Sequence, residues 1–98
     1  MIVKIHEAYR NVVTICDKEL LGQNFEENGK ILDLTTNFYK GEEKTPEQVL
    51  EIIDDQRRED ATFNIVGKCA CELALRSGLV TPSGITKIRD IPIALVLL

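Results

Sequence analysis

The sequence has little of what metal binding, disulfide formation and cysteine catalysis require. It contains one histidine, His6, and three cysteines, Cys16, Cys69 and Cys71. An odd number of cysteines without regular spacing argues against a secreted disulfide scaffold. Cys69 and Cys71 lie two residues apart in a predicted helix, so their side chains diverge by about 200° and do not chelate one metal ion. We therefore expect no metal site and no cofactor.

The sequence also lacks a long apolar run. The longest, residues 93–98, is far too short to span a membrane. The amino-terminal segment MIVKIHEAYR is interrupted by Lys4 and His6, unlike the apolar region of a signal peptide. The protein is therefore predicted to be cytoplasmic, with no membrane partner.

Basic residues are outnumbered by acidic ones. There are 12 Lys and Arg residues against 16 Asp and Glu, and the formal net charge is −4. Residues 1–60 hold 14 acidic and 8 basic side chains, whereas residues 61–98 hold 2 and 4. Proteins that bind nucleic acid mainly through phosphates are usually basic. RNA binding here would require a local patch, which we expect in the C-terminal third.

The order of predicted strands and helices along the sequence is typical of a single α+β domain over residues 1–98. Short segments rich in Val and Ile predict strands, and Thr45-Pro46-Glu47-Gln48 is typical of a capped helix start. We predict a two-layer domain, a mixed β-sheet with two main helices packed on it. The predicted sheet contains residues 2–6, 12–16, 63–66 and 93–98, and the predicted helices span about 46–58 and 67–77.

Several local features follow from turn and capping residues. Asp17 is predicted to cap a single turn over residues 18–21, and Asn28-Gly29 a tight turn before a strand at 30–34. Whether residues 23–27 pair with that strand stays open. Residues 35–44 are predicted to form an exposed loop, and residues 91–98 a central strand covered on both faces.

The first candidate site is the junction between the strand at 63–66 and the helix that follows. Gly67 opens that helix, and free N–H groups at its start, with Lys68 in the first turn, would hold a phosphate or carboxylate. Asn64, the one amide in an apolar strand, would orient the ligand. The alternative is an ordinary strand-to-helix turn in which Asn64 bonds to the backbone.

The second candidate site is the polar segment Asn37-Phe38-Tyr39-Lys40-Gly41. Exposed aromatic rings beside a base stack on nucleobases or fill a partner's pocket. Tyr39 and Lys40 are the predicted binding residues, and the alternative is that Phe38 or Tyr39 folds back to anchor the loop.

Two further groups of residues are weaker candidates. Cys16 would be a nucleophile only with a histidine beside it, and hairpin pairing places His6 opposite Val12, away from Cys16. Glu51, Asp54 and Asp55 share a helix face that would bind Mg²⁺ or a basic partner. The alternative is a solvated face with pairing to Arg58.

Four segments resemble a small archaeal family of uncharacterised proteins, known only as a domain of unknown function. They are VTICDKELL at residues 13–21, NFYKG at 37–41, NIVG at 64–67 and IPIALVLL at 91–98. The resemblance implies a compact α+β fold, a cytoplasmic archaeal protein and a translation-related context, and it supplies no activity. In that family a histidine often follows the C-terminal proline, where this sequence has Ile93.

Three functions are compatible with these observations. The first is a small binding or accessory module that meets RNA or a translation-associated protein through Tyr39, Lys40, Asn64, Gly67 and Lys68, with Arg10 as a further candidate. The second is an enzyme for a small anionic metabolite, with Cys16 or His6 performing the chemistry. The third is a structural subunit without a ligand, which associates through the acidic helix or as a homo-oligomer.

Overall fold

The Val- and Ile-rich segments form a six-stranded mixed sheet, and the computed structural model describes residues 1–97 of the chain. The strands are β1 (Ile2–His6), β2 (Val12–Cys16), β3 (Asn24–Glu27), β4 (Lys30–Asp33), β5 (Glu42–Glu43), β6 (Thr62–Val66), β7 (Thr86–Ile88) and β8 (Ile91–Val96). The helices are α1 (Pro46–Arg58) and α2 (Lys68–Arg76), and 3₁₀ turns cover Lys18–Leu20, Asn37–Tyr39 and Pro82–Gly84.

The large sheet has the strand order β5-β1-β2-β6-β8-β7, and β3 and β4 form a separate small sheet. The pairing of β2 with β6 is parallel, and α1 lies in the crossover between these two strands. The other pairs of the large sheet are antiparallel. The predicted α+β fold, with a mixed sheet and two helices, is confirmed.

Both helices pack on the same face of the sheet, which we call the helix face. Side chains of a strand alternate between faces, and Val3, Ile15, Ile65 and Ala94 stand side by side in the register of β1, β2, β6 and β8. They share one core with Val49 and Ile53 of α1 and with Ala70, Cys71, Leu73 and Ala74 of α2. The small residues of α2 allow that helix to approach the sheet closely.

The start of α1 is held by the capping box predicted from the sequence. The Thr45 hydroxyl accepts a hydrogen bond from the Gln48 backbone N–H at 3.2 Å, and the Gln48 side chain accepts from the Thr45 N–H at 2.9 Å. Within the described residues, neither helix is long and apolar enough to cross a membrane.

The opposite face of the sheet, which we call the hairpin face, is covered only in part. The β3–β4 hairpin turns at Asn28-Gly29, both at positive φ as the predicted tight turn requires. Leu32 and Leu34 pack against Cys16, Val66 and Ile88 in a second, smaller core. This cover lies over one end of the strands and leaves side chains at the other end accessible.

Three local predictions were wrong. Residues 35–44 are not wholly a loop, because they include a 3₁₀ turn and the short edge strand β5. The side chain of Asp17 makes no cap bond to the turn that follows it. The predicted strand at 91–98 is flanked by strands on both sides, but its Leu95 is 59% exposed because no element covers it on the hairpin face. Leu98 lies outside the described residues.

Candidate functional site

The N-terminus of α2 is occupied by a carboxylate of the chain itself. Asp17, only 3% exposed, accepts hydrogen bonds from the backbone N–H groups of Cys69 at 2.9 Å and Ala70 at 2.8 Å. Its own N–H donates to the Val66 carbonyl at 3.0 Å, so the end of β2 is tied to the end of β6. A buried carboxylate at a helix start satisfies free N–H groups and complements the helix dipole.

Gly67 makes this contact possible. Its φ is +111°, as expected for the chain turning sharply between strand and helix, and its N–H donates to the Pro92 carbonyl at 2.9 Å. A Cβ atom at this position would overlap the Asp17 carboxyl group. Glycine is therefore required both by the backbone conformation and by the space that Asp17 fills.

The expectation of an open anion pocket at this junction is wrong, because Asp17 occupies the place of the anion. Lys68 is exposed and lines a different groove of about 360 Å³ between α2 and the β7–β8 hairpin. Lys87 also lines that groove, together with the acidic Glu72 and Asp90. The structure thus separates Gly67 and Lys68 from Tyr39 and Asn64.

Tyr39 and Asn64 do come together, in a groove on the hairpin face. This groove, which we call the sheet groove, has a volume of about 260 Å³. Its floor is formed by β6 and β8, and its walls by β4, β7 and the 3₁₀ turn at 37–39. The lining residues are Ile31, Leu32, Tyr39, Asn64, Ile65, Val66, Thr86, Ile88, Ile93, Ala94 and Leu95. Among these described residues there is no charged side chain.

The sheet groove is apolar and accessible, with two polar groups at its surface. Ile31 is 68% exposed and Leu95 59%. Within residues 1–97, the Asn64 amide and the Tyr39 hydroxyl make no hydrogen bond to another residue, and both groups reach solvent. Burial, reinforced by the nearby Cys16, raises the pKa of Tyr39, so its phenol stays protonated and can donate. A ligand in this groove would meet aliphatic surface and two neutral hydrogen-bonding groups.

The wall that carries Tyr39 is anchored to the sheet by its neighbour Phe38. The Phe38 ring stacks on His6 with ring centroids 4.7 Å apart, and its carbonyl bonds to His6 Nε2 at 2.8 Å. The buried Thr14 hydroxyl donates to the same carbonyl at 3.3 Å. The anchoring alternative is therefore correct for both rings, because Tyr39 is half-buried and packs against the second core. Tyr39 still lines the groove, and Lys40 is exposed beside it.

The residues proposed for nucleophilic chemistry are placed unfavourably for it. Burial, with the Asp17 charge as a second cause, raises the pKa of Cys16 to about 12. His6 pairs with Val12, as predicted, while Cys16 pairs with Ile2 at the other end of the hairpin. The thiol therefore stays protonated and has no histidine beside it.

The acidic face of α1 is accounted for by ion pairs within the helix, without a ligand. Arg58 pairs with Asp54 at 2.7 Å and with Asp55 at 3.6 Å, as predicted for that face. Within the described part of the chain, no cluster of His, Cys, Asp and Glu side chains is arranged to hold a metal ion.

Sequence reasoning missed the aliphatic part of the sheet groove. Ile31 and Leu32 are adjacent in a strand and so must point to opposite sides, which was a signal that one of them is exposed. Leu95 gave no such signal, because its continuous apolar run is typical of a strand buried on both faces.

Comparison with known proteins identifies relatives but no activity. The sequence pattern of a family described as a protein of unknown function (DUF424) matches residues 6–98. The fold is similar to the crystal structure of an uncharacterized conserved protein from the archaeon Methanopyrus kandleri, with a TM-score of 0.85 and 23% sequence identity. The alignment covers 97% of this chain and 88% of that one. No curated protein matches the sequence.

We expect Asp17→Ala to destabilise the fold by about 2 kcal/mol, because it leaves the N–H groups of Cys69 and Ala70 without partners in a largely buried place. Urea unfolding followed by circular dichroism measures the loss. Glu19→Ala, an exposed acidic neighbour, is the control and should leave the free energy of unfolding nearly unchanged. An equal loss in both variants would show that the Asp17 carboxylate does not hold the helix.

A thiol-labelling experiment should find one fast-reacting cysteine. Cys69 is exposed, whereas Cys16 and Cys71 are buried and burial raises their pKa values to about 12 and about 11. Since the unfolded thiols ionise first, near 9.0, the free energy of unfolding should also fall as pH rises above that value. Labelling with a chromogenic disulfide in native and urea-unfolded protein tests the reactivity of the three thiols. Urea unfolding at pH values on either side of 9.0 tests the loss of stability. Fast labelling of Cys16 in the native protein would restore it as a candidate nucleophile.

Proposed function

The chain belongs to the DUF424 family of proteins of unknown function, and we propose that it is a binding module that holds an uncharged, largely apolar polypeptide segment in the sheet groove. The observation that carries this proposal is the exposure of Ile31 and Leu95 beside two neutral polar groups without partners. Clustered exposed aliphatic side chains are typical of surfaces that bind another protein.

The chemistry of the groove favours a polypeptide over RNA. Phosphate groups are bound by Lys and Arg, and among the described residues that line the groove there is neither. Lys40 lies beside Tyr39 in the sequence, but one lysine next to the groove is a weak site for phosphates, and the net charge of the chain is −4. Of the two aromatic rings, Phe38 is already stacked on His6 and Tyr39 is half-buried against the second core. Among polypeptides, a translation-associated protein is the class that the sequence resemblance suggests.

The binding proposal also fits the structure better than catalysis does. An enzyme for an anionic metabolite would need the α2 N-terminus for the anion and Cys16 or His6 for the chemistry. Asp17 fills the first place, burial keeps Cys16 protonated, and His6 is engaged by the ring and the carbonyl of Phe38. The two polar groups of the groove, a phenol and an amide, are suited to orienting a ligand rather than to activating it.

Leu95→Glu should weaken binding of an apolar peptide about tenfold or more, because it places a charge in a groove that offers it no partner. The probe is a peptide enriched from a phage-displayed random library, and its affinity is measured by fluorescence anisotropy. Tyr9→Glu, at a fully exposed aromatic residue in the β1–β2 loop, is the matched control and should bind normally. Enrichment of acidic peptides, or salt-sensitive binding of polyuridylate that survives Leu95→Glu, would contradict the proposal.

Asn64→Leu should stabilise the fold by about 0.5–1 kcal/mol while it weakens binding of the same peptide. Leucine is more favourable than asparagine at a half-buried strand position, and it removes the amide that would bond to the ligand. Urea unfolding and anisotropy give the two measurements. Asn24→Leu, at an exposed strand position outside the groove, controls for the substitution itself. Asn64→Leu with unchanged affinity would remove the amide from the binding surface.

A further inference from the structure

We infer that the occupant of the sheet groove binds as an added β-strand, paired with the open edge of β8 at Leu95. This inference rests on the proposed function and specifies how the partner segment is held. It is carried by the backbone of β8 together with the side chain of Leu95.

The direction of the backbone groups in β8 follows from one hydrogen bond and the register. The Pro92 carbonyl accepts from the Gly67 N–H, so the backbone groups of Pro92 face β6. In an antiparallel ladder, successive residues direct both their N–H and C=O groups to alternate sides. Those of Ala94 and Val96 therefore face β6, and those of Ile91, Ile93 and Leu95 face the opposite edge.

Strand β7 covers only part of that edge. It pairs Ile88 with Ile91 and Thr86 with Ile93, and its ladder begins at Thr86. The preceding chain forms the 3₁₀ turn Pro82–Gly84, in which the Gly84 N–H bonds to the Thr81 carbonyl instead of continuing the ladder. Among the described residues no strand pairs with Leu95 on this side, so its N–H and C=O groups are available.

The open edge also lacks the usual protection against strand pairing. Native edge strands are commonly protected by Lys, by Pro or by a bulge. Here the residues beyond the cover of β7 are Ala94, Leu95, Val96 and Leu97, and Leu95 and Leu97 are 59% and 68% exposed. An extended peptide would satisfy the backbone of Leu95 and place alternate side chains against the apolar groove.

The open edge fits a separate polypeptide better than a second copy of this chain. A two-fold axis at Leu95 would pair that residue with itself and would set Leu97 against Ile93, whose backbone groups already bond to β7. An axis at Val96 would avoid this conflict but would confine the pairing to residues 95–97 of each copy. A partner strand has no such restriction and can continue past Leu95 toward Leu97. RNA supplies no matching alternation of donors and acceptors.

Amide hydrogen exchange, measured by NMR on the isotope-labelled full chain, tests this pairing. In the free protein the Leu95 amide should exchange faster than the amides of Ala94 and Val96, which face β6. Adding the library-selected peptide at about 100 times its Kd should slow exchange at Leu95 about 100-fold. The amides of Ala94 and Val96 serve as internal controls.

The possible outcomes separate the inference from the proposed function. Peptide binding that is lost in Leu95→Glu but leaves the Leu95 amide unprotected would overturn strand addition and retain the groove. Protection of that amide without peptide, in a protein of dimeric mass, would show that a second copy occupies the edge and would also overturn the inference. Failure to enrich any peptide that depends on Leu95 would overturn the proposed function itself.

Discussion

The contact between the Asp17 carboxylate and the start of α2 is the constraint on which the rest of the structure depends. It joins the end of β2 to the first turn of α2, across the parallel pair of strands at the centre of the sheet. Because Asp17 is buried, the contact leaves the chain no freedom at Gly67, where a Cβ atom would overlap the carboxyl group. The orientation of α2 on the helix face follows from this junction.

The same contact determines where a ligand can bind. A helix N-terminus at the end of a strand is a ready site for an anion, and in this chain an internal anion already satisfies it. Most of the helix face is covered by two helices and their shared core, which leave a groove of about 330 Å³ at its edge, beside β1 and β5. Accessible apolar surface is left on the hairpin face, where the small β3–β4 sheet covers one end of the strands. The sheet groove is therefore a consequence of unequal cover on the two faces.

The sequence predicted local structure better than contacts between distant residues. The capping box at Thr45 and the tight turn at Asn28-Gly29 were predictable because each depends on neighbouring residues. The partner of Asp17 was not, because Cys69 lies 52 positions further along the chain and the sequence pattern of Asp17 is that of a local cap. Tyr39 and Asn64 were selected for different reasons, and only the fold shows that they line one groove.

The strands at the two edges of the large sheet are short, and this shapes its exposed surface. β5 pairs with only two residues of β1, whereas β7 pairs with three residues of β8. At the β1 side, the His6–Phe38 stack and the hydrogen bond from Thr14 bring the 37–39 turn over the sheet. At the β8 side no described element does the same for Leu95. Free backbone groups and exposed aliphatic surface therefore coincide at one place, and a strand from another polypeptide would satisfy both.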